Sequence, residues 1–373
     1  MTETPSSTAE PSAPQYAAAG VDVDANDRLI PRYRQLAQSA LRPEQLGGVG
    51  PFSGLFDLSG WHNPVLVAST DGVGTKVMLA TLAGRLDGVG RDLVNHCIND
   101  ILTAGAEPLF FLDYLAAHEL SEDDKVAVVA GVASACRESG LALLGGETAD
   151  MPDLYPSGAF DLAGTIIGVV ERGAQISGDR IVPGDALMAL PSNGLHTNGY
   201  TLARAALGLR PGDGSESERR TRLLVHEPVL GESLADALLR PHLPYWSTLR
   251  PLLKQAKGIA HITGGGIVGN LERVLPPETA AEITRGTWLE PPIFGLIQER
   301  GAISDEEMFR VFNMGVGMII VVAATDADAT LDALEPHGAT RIGTVAPLTA
   351  GEDAAVRIAE RLVSGTATDE TRG

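Results

Sequence analysis

Short apolar runs alternate with amphipathic stretches along the first half of the chain. Residues 64–70 are apolar and end at an Asp-Gly-Val-Gly break, which is typical of a buried strand followed by a tight turn. Residues 91–104 place apolar side chains on one helical face, and residues 121–138 begin with a serine and three acidic residues, which favour a helix start. Three further short strands are predicted at residues 109–114, 141–144 and 165–170. This mixture predicts an α/β or α+β fold.

The second half continues the mixture after a turn-rich segment at residues 171–184. Two strands and two helices are predicted there, in the order strand, helix, helix, strand, at residues 186–190, 199–207, 266–275 and 317–324. We therefore expect two domains, residues 16–174 and residues 175–347.

Three segments lie outside these elements. Residues 1–15 and 364–373 are rich in small and polar residues, and we expect a disordered leader and a flexible tail. Residues 209–222 are charged and contain glycine, which predicts a surface loop or insertion.

The excess of acidic over basic residues limits the kinds of molecule that the protein can bind. The chain has 373 residues, with 28 Lys and Arg against 48 Asp and Glu, a formal net charge of −20. Such a surface repels phosphate backbones and anionic lipid, so we expect no nucleic-acid partner and no membrane partner. No segment reads as a signal peptide, and two cysteines cannot build a disulfide scaffold. We expect a cytoplasmic protein.

Three carboxylates stand at the ends or rims of predicted elements, each beside small residues. Asp71 opens the run Asp-Gly-Val-Gly-Thr-Lys, Asp100 lies at the rim of the predicted helix, and Glu147 follows a Gly-Gly pair. Carboxylates beside free backbone amides are a recurring arrangement for Mg²⁺ with phosphate. Each taken alone is equally compatible with a turn or a paired acid. Together they favour one metal–phosphate site.

Glycine-rich and polar segments are candidates for binding phosphate and substrate. A loop at residues 47–54 contains four glycines, whose amides could cover phosphate groups. Polar groups precede predicted helices at residues 192–199 and 261–266, where a helix N-terminus favours anions. The glycine-rich segment is equally compatible with a surface loop. The histidines of the other two segments could instead cap a helix or pack in the core.

Taken in order, these motifs resemble those of the phosphoribosylformylglycinamidine cyclo-ligases, the aminoimidazole ribonucleotide synthetases of purine biosynthesis. The resemblance begins at residues 16–24 and covers most of the chain between its tails. The other shared motifs lie at residues 42–54, 71–76, 100–108, 110–114, 145–152, 192–200, 262–266 and 312–318. One departure is at residues 239–245, which read Leu-Arg-Pro-His-Leu-Pro-Tyr where relatives usually read Pro-Thr-Arg-Ile-Tyr. We assign no site role to that stretch.

The resemblance implies an ATP-dependent ring closure of formylglycinamidine ribonucleotide. In this family ATP phosphorylates the formyl-amide oxygen, the amidine-side nitrogen attacks that carbon, and phosphate leaves. The products are 5-aminoimidazole ribonucleotide, ADP and phosphate, and the implied cofactors are ATP and Mg²⁺. The implied fold has two α/β domains, with first-domain strands of two chains forming a β-barrel at a homodimer interface.

The motifs and the resemblance together define an expected site. Catalysis is expected of Asp71, Lys76, Asp100 and His196, with the lysine supplying positive charge to ATP. The ATP and phosphate ligands are expected to be Gly47, Gly48, Gly50, Ser53, Gly54, Gly72, Gly74, Thr75 and Lys76. The substrate ligands are expected to be Asn193, His196, Thr197, Asn198, Thr263, Gly264, Gly265 and Gly266. The metal ligands are expected to be Asp71, Asp100 and Glu147.

Two other classes of function stay open at this level. Another ATP-dependent kinase or synthetase of the same superfamily would share the Asp/Gly motifs. The selenophosphate enzyme usually carries a reactive Cys or Sec near its N-terminus, whereas the first cysteine here is Cys97. A non-catalytic nucleotide-binding protein would keep the glycine loops but need not keep all three carboxylates.

Overall fold

The first half of the chain folds into a four-stranded sheet with helices on one face. The computed structural model describes residues 23–47, 53–348 and 355–360. The elements of this half are α1 (Val23–Gln38), β1 (Gln45–Leu46), β2 (Leu55–Phe56), β3 (Pro64–Gly72), α2 (Lys76–Ala83), α3 (Asp87–Leu102), β4 (Glu107–Ala117), α4 (Glu122–Ser139), β5 (Ala142–Asp150) and β6 (Phe160–Glu171). The sheet order is β3-β6-β4-β5, with β4 and β5 parallel and the other neighbours antiparallel.

Helices α3 and α4 pack tightly on this sheet. The predicted start of α4 is confirmed, since the hydroxyl of Ser121 accepts a hydrogen bond of 3.1 Å from the amide of Asp124. The two helices cross at Gly90 and Gly131, where a Cβ on either glycine would overlap backbone atoms of the facing helix. The crossing therefore depends on residues without a side chain.

In the described part of the chain, the opposite face of the same sheet is largely open. Strand residues alternate between the two faces. Phe111 and Leu115 point to the helices and are fully buried, whereas Leu66, Leu112 and Tyr114 are exposed. Apolar side chains thus line an uncovered sheet face.

The second half forms a larger, six-stranded sheet. Its elements are β7 (Ala186–Pro191), α5 (Tyr200–Ala206), α6 (Glu216–Leu224), β8 (His226–Glu227), β9 (Glu232–Ser233), α7 (Leu234–Leu238), α8 (Trp246–Leu249), β10 (Gly258–His261), α9 (Gly266–Glu272), β11 (Thr279–Arg285), α10 (Pro292–Gly301), α11 (Asp305–Val311), β12 (Val316–Val322), α12 (Ala327–Leu334), β13 (Thr340–Pro347) and β14 (Val356–Glu360), with single 3₁₀ turns at Arg250–Leu252, Ala324–Asp326 and Glu335–His337. The sheet order is β10-β12-β7-β13-β11-β14, antiparallel except between β11 and β14. The expected domain boundary falls in the connection between β6 and β7.

Two local expectations need correction. The Gly-Gly-Glu motif around Glu147 is not a loop after a short strand, because β5 continues to Asp150 and pairs with β4 along that length. The segment at residues 209–222 is not only a loop, because α6 begins within it. Ser215 and Glu218 form a capping box at the start of α6, which stabilises a helix there.

The expected leader and tail, residues 1–15 and 364–373, lie outside the described residues. In the part that is described, no helix is long and apolar enough to cross a membrane.

Candidate functional site

A cavity of about 520 Å³ lies between the two halves of the molecule. Its walls come from β3 and α3 of the first half and from β10, α9 and their flanking residues of the second. The polar and charged side chains that line it are Ser69, Asp71, His96, Thr103, Asp100, His261, Thr263, Asn270 and Arg273. Residues far apart in the sequence thus meet in one cleft.

Asp71 stands at the end of β3 and faces His96 on α3. The Asp71 carboxylate accepts a hydrogen bond of 2.6 Å from the amide of Gly72, and its Oδ2 lies 2.8 Å from Nε2 of His96. Burial by itself raises the pKa of Asp71, but the bond to His96 outweighs it and the net pKa is lowered. Burial opposes the charged imidazole, yet the contact with Asp71 and the nearby Asp100 raises the pKa of His96.

Asp100 lies one helical turn after His96 and receives two further partners. Its Oδ2 accepts a hydrogen bond of 2.8 Å from the hydroxyl of Ser69, and its Oδ1 lies 2.8 Å from Nδ1 of His261 at the end of β10. Burial opposes ionisation of Asp100, but these contacts outweigh it and lower its pKa. Two carboxylates and two imidazoles therefore form one group on the cleft wall.

A second layer of buried side chains lies behind this group. Nδ1 of His96 is 2.7 Å from the hydroxyl of Thr197, which is 3.3 Å from Nδ1 of His242. Nε2 of His242 lies 3.1 Å from Nε2 of His261 and 3.1 Å from the amide nitrogen of Asn99. These contacts fix the orientation of the imidazoles that line the cavity.

His196, an expected catalytic residue, belongs to this second layer and does not line the cavity. Its ring stacks on His242 with 3.9 Å between centroids, and neither ring nitrogen has a hydrogen-bond partner. Burial holds the pKa of His196 well below its ordinary value, so the ring is neutral at pH 7. Its backbone φ is +59°, which is uncommon outside glycine.

Lys76 lies in a different place from the one expected. Its side chain is fully buried, and its ammonium donates to Asp92, to the carbonyl of His196 and to the carbonyl of Arg240 over 2.7–3.0 Å. All three donors are therefore occupied within the protein. Lys76 joins the two halves of the chain and has no ammonium proton left for a phosphate.

Glu147 is also separated from the other two acids in this chain. Across the sheet Asp71 pairs with Gly164, Gly164 with Asp113, and Asp113 with Gly146. Three strand spacings place Glu147 about 14 Å from Asp71. Glu147 lines a different cavity, of about 410 Å³, together with Tyr33, Arg34 and the buried Asp113. The three carboxylates do not form one cluster within a single chain.

The remaining expected ligands fall into four groups. Thr263 lines the cleft, and Gly264, Gly265 and Gly266 form the turn beside it, where the Asn270 side chain donates to the carbonyls of Thr263, Gly264 and Gly266. Asn193 and Asn198 hold neighbouring protein groups, and the hydroxyl of Thr75 contacts Thr201 at 3.2 Å. Gly48 and Gly50 lie outside the described residues. The ligand roles of Gly47, Ser53, Gly54, Gly72 and Gly74 stay predictions.

The atypical stretch at residues 239–245 is held through its backbone by α3. The side chain of Asn95 donates to the carbonyl of His242, and that of Asn99 donates to the carbonyl of Leu243. In the other direction, the amide of His242 donates to Asp92 and the amide of Tyr245 donates to Asn99. Main-chain groups of the stretch make these four bonds, and the His242 ring adds the side-chain contacts of the second layer.

Sequence reasoning missed His96 and Arg273 as cleft residues, and it gave His261 no role although residues 261–266 were a candidate segment. A signal was present for the first, because His96 and Asp100 are four residues apart in a predicted helix and so share a face. His261 and Arg273 come from the other half, and no spacing in the sequence relates them to Asp71. Arg273 carries the one Arg or Lys side chain among the described residues lining the cleft.

Comparison with known proteins agrees with this architecture. The model of the AIR synthase related protein family matches in two parts, the N-terminal domain at residues 56–170 and the C-terminal domain at residues 182–353. The phosphoribosylformylglycinamidine cyclo-ligase of Myxococcus xanthus is 49% identical over 87% of this chain and 92% of its own length. That of Nitrosospira multiformis is 46% identical over 88% of this chain and 92% of its own.

A solved structure supports the fold, and only the fold. The E. coli hydrogenase maturation protein HypE aligns with a TM-score of 0.59 at 18% identity, over 89% of this chain and 93% of that one. The two-domain α/β arrangement expected from the motifs is therefore confirmed, and so is the family resemblance. This chain belongs to the phosphoribosylformylglycinamidine cyclo-ligase family of AIR synthase related proteins.

Proposed function

We propose that this chain closes the imidazole ring of formylglycinamidine ribonucleotide at the expense of ATP, giving 5-aminoimidazole ribonucleotide, ADP and phosphate. The observation that carries this proposal is the high identity to curated cyclo-ligases over nearly their whole length. The cleft agrees with it, because it joins acidic groups, imidazoles and a glycine turn in one cavity. Such a reaction needs positioned phosphates more than a protein nucleophile.

Asp71 and Asp100 are the proposed ligands of a Mg²⁺ ion that accompanies ATP. Both line the cleft and carry ionised carboxylates, the oxygen donors that Mg²⁺ prefers. When bound, Mg²⁺ would offset the negative charge of the transferred phosphate. Glu147 stays a predicted ligand, without support from the geometry of a single chain.

Arg273 takes the role that the sequence assigned to Lys76. It lines the same cleft as residues of β3, and its guanidinium can bind two phosphate oxygens at once. His261 is the proposed uncharged partner of the substrate, because burial lowers its pKa despite the neighbouring Asp100. His96 orients Asp71.

A homodimer is proposed for the assembled enzyme. Its support is the open sheet face with exposed Leu66, Leu112 and Tyr114, which a second copy would cover by forming the barrel expected from the family. Contact of residues 47–54 with phosphate and a cytoplasmic location stay predictions.

The activity test uses ATP, Mg²⁺ and formylglycinamidine ribonucleotide with the full chain. We expect phosphate release that depends on this ribonucleotide and yields the aminoimidazole product. Asp71→Asn and Asp100→Asn should each lower kcat on the order of 100-fold, about 2.7 kcal/mol of barrier. The control Asp332→Asn, an exposed acid on α12, should keep the parent rate. Phosphate release at the same rate with and without the ribonucleotide would contradict the proposal and favour another nucleotide-dependent reaction.

A further inference from the structure

The group on the cleft wall has the composition of a transition-metal site. His96, Asp100 and His261 each offer one ligand atom, and these three atoms lie within 4.8 Å of one another. The two histidines are nearly fully buried. Two imidazole nitrogens with one carboxylate suit Mn²⁺, Fe²⁺, Co²⁺ or Zn²⁺, whereas Mg²⁺ is usually bound by oxygen ligands alone.

The ligand atoms are held in place from two sides. His96 and Asp100 are one turn apart on α3, and His261 ends β10 of the other half, so the three are set by rigid elements. The second nitrogen of each histidine is also engaged, His96 by Thr197 and His261 by His242. Metal-binding histidines in proteins carry such outer contacts, which orient the ring.

A further carboxylate lies beside this group. Oδ2 of Asp71 lies 2.8 Å from Nε2 of His96 and faces the same cavity. Where imidazole nitrogens and carboxylate oxygens approach this closely, a proton or a cation must lie between them. A divalent cation would satisfy the ligand atoms of His96, Asp100 and His261 at once, in the tetrahedral or open geometry that such ions adopt.

We propose that His96, Asp100 and His261 bind one divalent transition-metal ion per chain in the absence of nucleotide. The inference rests on the proposed function only in that Asp100 is also a proposed ligand of nucleotide-bound Mg²⁺. Because the ligands come from both halves of the molecule, the bound ion links the two domains across the cleft.

The test is a titration of the metal-free, full-length chain with Co²⁺ and no nucleotide. Bound Co²⁺ is followed by its visible absorption, and stoichiometry is measured by elemental analysis after desalting. We expect one Co²⁺ per chain, displaced by Zn²⁺, and a higher melting temperature on binding. His96→Gln and His261→Gln should each weaken binding at least 10-fold. The matched control His226→Gln replaces an exposed histidine that does not line the cleft. This variant should bind Co²⁺ as the parent does.

Thr197→Val provides a second test in case a variant of a ligand residue does not fold. It leaves all three ligands in place and removes the outer contact to His96, so it should weaken Co²⁺ binding 10- to 100-fold. Absence of stoichiometric Co²⁺ in the folded parent, or equal binding by the parent and all folded variants, would overturn the inference.

The ring-closure assay with Mg²⁺ and ATP separates this inference from the proposed function. A parent that closes the ring but binds no Co²⁺ overturns the metal site and leaves the function intact. A parent that binds one Co²⁺ but closes no ring supports the metal site and contradicts the function.

Discussion

At the scale of single residues, Lys76 forms a buried ion pair with Asp92 inside the first half and also binds the second half. Both side chains are fully inaccessible, and the ammonium also holds two carbonyls of the second half. Removing one partner of a buried pair leaves an uncompensated charge, which costs about 3–5 kcal/mol. We therefore expect Lys76→Met to lower the free energy of unfolding by about that amount, measured by urea denaturation.

An exposed pair supplies the control for this prediction. Arg85 and Asp236 also join the two halves, but their side chains are 46% and 51% exposed. Arg85→Met should cost less than about 1 kcal/mol. If Lys76→Met keeps the parent's stability and raises only the KM for ATP, the phosphate-binding role expected from the sequence is right and the structural role is wrong.

The contribution of the buried Asp113 carboxyl to stability can be measured through its dependence on pH. Burial raises the pKa of Asp113 to about 7 from an ordinary value of 3.8. Between these values the folded chain holds a proton that the unfolded chain has released, so stability falls as pH rises, by up to roughly 4 kcal/mol. Asp113→Asn should therefore raise the free energy of unfolding by roughly 2–4 kcal/mol at pH 8 and hardly at all at pH 4.

The same measurement on an exposed acid is the reference. Asp332→Asn should leave the pH dependence of urea denaturation unchanged. A gain for Asp113→Asn that is equal at pH 4 and pH 8 would show that burial of this carboxyl does not control the effect.

At the scale of elements, the crossing of α3 and α4 positions His96 and Asp100. A methyl group on Gly90 would overlap the carbonyl oxygen of Val128 and the amide of Val132. Backbone atoms cannot rotate away, so the helices must separate. We expect Gly90→Ala to lower the free energy of unfolding by about 1–3 kcal/mol, and to lower ring-closure activity because α3 moves.

Gly295 in α10 provides a matched helical control. A Cβ there meets no atom within 4 Å. Gly295→Ala should stabilise the chain by about 0.4–1 kcal/mol, because alanine loses less backbone entropy on folding. Equal stability losses for the two variants, compared by thermal and urea unfolding, would contradict the steric account of the crossing.

At the scale of the whole molecule, the open sheet face predicts the oligomeric state. We expect the parent to have twice the chain mass at micromolar concentration by light scattering, because burying this apolar face stabilises a two-fold dimer. Leu66→Glu and Leu112→Glu place charges on the face and should shift the mass towards the monomer. Leu289→Glu is the control, since Leu289 is 80% exposed in the other half. A monomeric parent would contradict the dimer.

The sequence by itself determined the elements and the acids at their ends. Strand alternation, helical spacing and the Ser121 cap depend on neighbours a few residues apart, so they predict β3, α3 and α4 closely. The Asp71 motif follows the predicted strand and so lies where that strand ends. These patterns placed Asp71 and Asp100 near each other correctly, and the order of the motifs identified the family.

Only the tertiary structure decided which polar groups face the cleft. Lys76 follows a glycine turn as phosphate-binding lysines do, yet the packing of the second half buries it against Asp92. Glu147 follows the same Gly-acid pattern as Asp71, but the strand order puts it at the far edge of the sheet. His261 joins Asp100 across 161 residues of chain. Spacing along a chain encodes local geometry, whereas strand order and domain packing depend on the whole core.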